Sequence, residues 1–255
     1  MIMDLSIFLP YDLLPWQWAV WIAMGLFIGL SKTGFLGITA VTIPLVALIF
    51  GAKESTGLIL PLLCFADILA VFYYHRHADW KCILKLLPWA LAGFAVALLV
   101  ERLVPVQAFK YLIGGSIIAG LIVMIWTERR SKESPPPSNW WFSAIFGIAG
   151  GFSTMVGNAA GPIMSVFLLS MRLPKNSFVG TSAWFFLIIN YLKLPLMIFI
   201  WKNITVETVL FSIPMIPVII FGAVLGIFLL KKTPESLYRK TIMVLTLIST
   251  LFLFF

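Results

Sequence analysis

The sequence predicts an all-α polytopic membrane protein, and three observations carry that class. Of the 255 residues, 61% are hydrophobic and 11% charged, with a mean hydropathy of +1.05, which leaves too little polar surface for a soluble globule. The apolar residues form continuous runs rich in Leu, Ile, Phe and Ala, not the alternating pattern of a membrane β-barrel. Charged and turn-forming residues collect in the breaks between the runs. At roughly 20 residues per crossing the chain holds about ten to twelve spans and no sizeable soluble domain, so its function is expected inside the membrane.

The opening stretch MIMDLSIFLPYDLLP carries Asp4 and Asp12 and no basic cluster, so no cleavable signal peptide is expected. Apolar segments then run over 16–30, 35–50, 57–74, 83–100, 108–126, 140–153, 159–171, 178–200, 207–230 and 241–255. The longest break, TERRSKESPPPSN with Pro135, Pro136 and Pro137, divides a first membrane repeat (1–127) from a cytoplasmic linker (128–139) and a second membrane repeat (140–255). The first pair of segments in each half is short enough to be either two spans or a broken, re-entrant hairpin.

Placing both termini outside puts thirteen of the eighteen basic residues in cytoplasmic loops. Only Lys53, Arg102, Lys110 and Lys202 then face out, with Lys193 inside a span. The positive-inside rule favours this orientation. The basic residues are scattered through loops without a basic domain, so the net charge of +8 reads as topology in a cell membrane and not as nucleic-acid binding.

The halves resemble each other: GLSKTGFLG (29–37) lies over GFSTMVGNA (151–159), and GLILPLLCFADILA (57–70) over GTSAWFFLIINYLK (180–193). In this register Ser31 corresponds to Ser153, Gly57 to Gly180 and Asp67 to Asn190. Five segments per half, an odd number, would insert the second copy with opposite orientation, the inverted repeat of secondary transporters.

Both halves also carry a small-residue break, Gly29 to Gly34 in the first and Gly150 to Asn158 in the second. Unwound backbone at membrane depth must line a cavity or be buried in protein, and a half-helix N-terminus there offers N–H groups to an anion. The alternative is an ordinary SKTG turn with glycines that allow close helix packing. On the first reading Ser31, Lys32, Thr33 and Gly34 face Ser153, Thr154, Gly157 and Asn158 across an anion site. Asp67 and Asn190 both lie about 15 Å from the outer end of their spans. An ionisable group there costs at least roughly 2.5 kcal/mol and faces a cavity or a partner, so Asp67 is either a proton-coupling residue or a partner for a lysine. At 100° per residue Lys193 shares a face with Ser182 and Asn190. It is either part of the anion site or a lysine snorkelling to the interface. Lys32 is either a second positive charge at the site or one more cytoplasmic basic residue.

These stretches resemble the sulfite exporter TauE/SafE family, also called the toluene-sulfonate uptake permease family. The likeness rests on GLSKTGFLG and GLILPLLCFADILAVFYYHRH, and on GFSTMVGNAAGP followed by VGTSAW with its later Asn, Lys and Pro. It covers essentially the whole chain. One departure is Asn158-Ala159-Ala160-Gly161, where many relatives are richer in glycine. The resemblance implies a membrane transporter of small sulfur anions such as sulfite, sulfonates or thiosulfate, working by alternating access without a cofactor. A passive anion channel and an intramembrane enzyme are the alternatives; with no Ser/His/Asp arrangement, HExxH or phosphate loop, the enzyme is the poorer one. His75 and His77 without a carboxylate or Cys cluster do not suggest a metal site, and Cys64 and Cys82 do not suggest a disulfide. The expected partners are a small anion, protons as the candidate coupling ion, and the lipid bilayer. Which anion, which direction and which oligomeric state the sequence leaves open.

Overall fold

A computed structural model describes residues 11–100, 137 and 139–254. The segment expected at 108–126 and most of the linker lie outside the described residues. Every regular element among the described residues is helical.

In chain order these are α1 (Pro15–Thr33), a 3₁₀ turn (Ile38–Val41), α2 (Ile43–Phe50), α3 (Ala52–Tyr74) and α4 (Trp80–Val100). After the proline-rich stretch come α5 (Trp140–Gly157), α6 (Ala160–Ser170), α7 (Lys175–Pro195) with a π turn over Leu196–Ile200, α8 (Val206–Ser212), α9 (Ile216–Lys232) and α10 (Glu235–Phe254). Among the described residues four stretches are long and apolar enough to cross a membrane: Lys53–His77, Trp80–Leu99, Lys175–Ile200 and Val206–Lys232. At 1.5 Å per residue the 8 residues of α2 and the 11 of α6 are too short to cross alone. Segments 35–50 and 159–171 are therefore not independent spans; each continues a hairpin begun by α1 or α5.

The breaks come later and are shorter than their small residues suggest. Gly29 to Thr33 is helical, and α1 stops only at Gly34. Gly150 to Gly157 is helical, and α5 stops at Asn158, which takes a left-handed conformation (φ 55°) while the Ala159 N–H donates to the Ser153 carbonyl. The glycines upstream serve packing. A Cβ on Gly29 would lie 2.1 Å from the Ile219 carbonyl oxygen of α9, and one on Gly151 2.0 Å from the Ala90 carbonyl oxygen of α4. α1 thus packs backbone to backbone against α9, and α5 against α4.

Between them α3 and α7 cross as an antiparallel pair. Gly57, near the start of α3, lies under the Asn203 carbonyl just beyond α7, and Gly180, near the start of α7, lies under Tyr74 and His77 at the end of α3. Asp67 and Asn190 meet at the middle of this crossing. Outside it, aromatic rings close each hairpin: Trp21 and Phe50 of the first half meet Phe211 of α8, and Phe142, Phe146 and Phe167 pack together in the second.

Candidate functional site

Two interrupted helices that end in the protein interior leave backbone groups that lipid cannot satisfy. At the first break α10 supplies the partners: the Tyr238 hydroxyl donates to the Gly34 carbonyl at 3.1 Å and the Ser249 hydroxyl to the Gly37 carbonyl at 2.8 Å. The Thr33 hydroxyl donates to the Gly29 and Ala223 carbonyls, so it joins α1 to α9. At the second break Asn158 is the connector. Its amide nitrogen donates to the Thr56 carbonyl of α3 at 3.1 Å, and its Oδ1 accepts from Lys193 Nζ at 2.5 Å.

A small cavity lies between the breaks. Ser31 and Lys32 line it from α1, and Thr154, Asn158 and Gly161 from the second break. Phe186 and Asn190 complete the wall on α7. Gly161 belongs to the first turn of α6, whose N-terminus has no side-chain cap, so that end presents its positive dipole towards the cavity.

The charges around this cavity are buried. Lys32, 6% exposed, pairs with Asp67, 0% exposed, at 2.7 Å, and lies over the Phe186 ring at 4.1 Å. The other Asp67 oxygen accepts from the Asn190 amide at 2.6 Å. Lys32 is therefore not a solvated basic residue of a loop, since its ammonium is held by a carboxylate and covered by an aromatic face. Lys193 is fully buried as well, so it does not snorkel. Its ammonium donates to the Thr154 carbonyl and to Asn158 Oδ1, both uncharged acceptors. Lys32 and Asp67 thus form a buried ion pair, whereas the acceptors that hold Lys193 include no carboxylate.

Not all the residues singled out in the sequence converge on the cavity. Ser31, Lys32, Thr154, Asn158 and Asn190 line it, and Asp67 and Lys193 stand one layer behind. Ser153 is buried with its hydroxyl unpaired, but does not line the cavity. Gly34 and Thr33 pack against α9, and Gly157 precedes the break. Ser182 shares the Lys193 face of α7 but lies three turns away, and its hydroxyl donates to the Val179 carbonyl of its own helix. Other contributors, Phe186 and Thr56 among them, were not singled out. Phe186 was legible, since it stands one turn before Asn190 on the same stripe. Thr56, whose carbonyl anchors Asn158, acts through backbone and leaves no sequence signal. No group of three or more His, Cys, Asp or Glu able to hold a metal occurs among the described residues.

Compared with known proteins, the chain matches the family model described as sulfite exporter TauE/SafE over residues 21–253, nearly its whole length. No curated protein and no solved structure matches it.

Proposed function

Since the chain belongs to the sulfite exporter TauE/SafE family, we propose that it is a secondary transporter that moves a small oxidised sulfur anion across the cell membrane by alternating access. That family transports rather than catalyses a reaction, so an enzymatic role is set aside. The observation that carries the reading is Lys193: a fully buried ammonium, held by uncharged acceptors, beside a cavity bounded by both helix breaks. A small anion that leaves its hydration shell needs preorganised donors and a compensating positive potential. Ser31, Asn158 and the first turn of α6 supply the donors, and Lys193 the potential.

The two halves, 1–127 and 140–255, work as inverted five-segment repeats joined by a cytoplasmic linker over 128–139. Three reciprocal contacts support this: α1 on α9 against α5 on α4, Gly57 under Asn203 against Gly180 under the end of α3, and Asp67 meeting its counterpart Asn190. Asp67 is the coupling residue: a proton on its carboxylate would release Lys32 to the anion. Both termini, Lys53 and Lys202 face outwards, and Lys232 faces the cytoplasm, as does Ser131, which lies outside the described residues.

Uptake of labelled sulfite, thiosulfate and methanesulfonate into proteoliposomes tests the proposal. Saturable uptake with counterflow is expected, and Asp67→Asn should remove its pH-driven component while leaving anion exchange. Single-channel currents would replace the carrier with a channel, and an absence of transport of every sulfur anion would sink the reading. Single cysteines introduced at 53, 202 and 232 in a variant lacking Cys64 and Cys82 test the orientation. An impermeant thiol reagent should label the first two, and not the third, in intact cells.

A further inference from the structure

Among the described residues, the charged side chains buried in the protein are three: Lys32, Asp67 and Lys193. All three surround one cavity. Lys32 lines it, Asp67 is bound to Lys32, and Lys193 is bound to Thr154 and Asn158, both of which line it. The ammonium of Lys193 faces two acceptors, which suits a protonated amine, and the Asp67 carboxylate faces two donors, which suits an ionised acid. The three charges therefore sum to one positive charge.

An unbalanced charge away from water is costly, and the cost falls when a bound ion brings the balance to zero. A monoanion does this. A dianion would leave one negative charge uncompensated in the same enclosure, and a neutral molecule would leave the positive charge as it was. Resting on the reading of this cavity as the anion site, we infer that the transporter selects its substrate by valence, taking singly charged sulfur oxyanions over doubly charged ones, and that the Lys32–Asp67 pair sets this preference by cancelling one of the two ammonium charges. Asp67 here is a positioning and charge-setting residue, one layer from the anion.

Methanesulfonate and thiosulfate are suitable probes. They share a tetrahedral sulfur with three oxygens, differ by a methyl group against a sulfur, and carry one and two negative charges. Binding of each to the purified protein is measured at one pH and ionic strength. Wild type is expected to bind methanesulfonate at least tenfold more tightly. Lys32→Gln, which leaves Asp67 against Lys193 and a balance of zero, should weaken methanesulfonate at least tenfold. Lys32→Gln combined with Asp67→Asn returns the balance to one positive charge. It should restore methanesulfonate to within about threefold of wild type and keep the preference, a rescue that a merely structural role for the pair does not predict. Asp67→Asn alone should move the ratio towards thiosulfate at least tenfold.

The inference is overturned, with the anion site intact, if wild type binds thiosulfate as tightly as methanesulfonate, or if the double variant binds no better than Lys32→Gln, while Asn158→Leu abolishes binding of both. If Asn158→Leu leaves both affinities unchanged, the anion lies elsewhere, and the site reading falls together with the inference.

Discussion

Each half brings a lysine to its own helix break, but by different routes. In the first half the cation belongs to the break itself, at Lys32. In the second the counterpart of Lys32 is Thr154, and the cation arrives from α7, where Lys193 reaches the Thr154 carbonyl. The halves also differ at the centre of the α3–α7 crossing, where the first contributes a carboxylate, Asp67, and the second an amide, Asn190. The first lysine is thus compensated and the second is not. The helix break thus meets a closed ion pair in one half and an ammonium without a carboxylate in the other, and on the proposed function cohesion falls mainly to the first half and anion attraction mainly to the second.

Breaking the closed pair should have the largest effect. Asp67→Asn leaves Lys32 buried without its carboxylate and should cost about 3–5 kcal/mol of stability, read as a lower thermal unfolding midpoint in detergent. Adding Lys32→Gln should recover most of that loss. An unchanged midpoint for Asp67→Asn would mean that the pair contributes nothing to cohesion.

Removing the open charge should act on binding instead. Lys193→Ala is expected to lose about 1.5–3 kcal/mol of anion affinity, as for a charged hydrogen-bonding group, and Lys193→Arg less, because the charge stays. Equal losses in titrations of the two variants would show that shape and not charge matters at this position.

The helix contacts sharpen the comparison further. Gly151→Ala would drive a methyl into the Ala90 backbone and should cost about 1–3 kcal/mol of stability. Gly150→Ala, one residue earlier, meets nothing nearer than Ile163 Cγ2 at 3.8 Å and should be tolerated. Matching melting temperatures for the two would contradict the backbone-to-backbone contact of α5 with α4. Smallest of all is Ser182→Ala: its hydroxyl serves its own helix, so anion affinity should change less than about twofold, within the ±0.5 kcal/mol of a neutral substitution.

Helical class and the existence of a break in each half were legible because both follow from local composition: long apolar runs, and small residues between short ones. The correspondence of Asp67 with Asn190 was legible as a register, and in the structure the two side chains touch. The role of the glycines was less so. Gly29 and Gly151 look like helix breakers in a linear reading, yet they sit inside helices, because the backbone that approaches them comes from residues 219 and 90, far along the chain. Ser182 does not line the cavity for a related reason. A helical wheel gives the angle of a side chain about the axis but not its height, and three turns separate Ser182 from Lys193. The choice of Lys32 as the partner of Asp67 could not be read from spacing at all, since the two are 35 positions apart with the 3₁₀ turn and α2 between their helices.

The packing of α1 on α9 also constrains the order in which the protein can be made. At about 5–20 residues per second, α9 follows α1 by roughly 10–40 s, and throughout that interval the glycine face of α1 has no helix to lie against. α3, by contrast, is synthesised soon after α1, and with it comes Asp67. The Lys32–Asp67 pair can therefore form within the first half of the nascent chain, sheltering the buried lysine from lipid while α1 waits for its permanent neighbour.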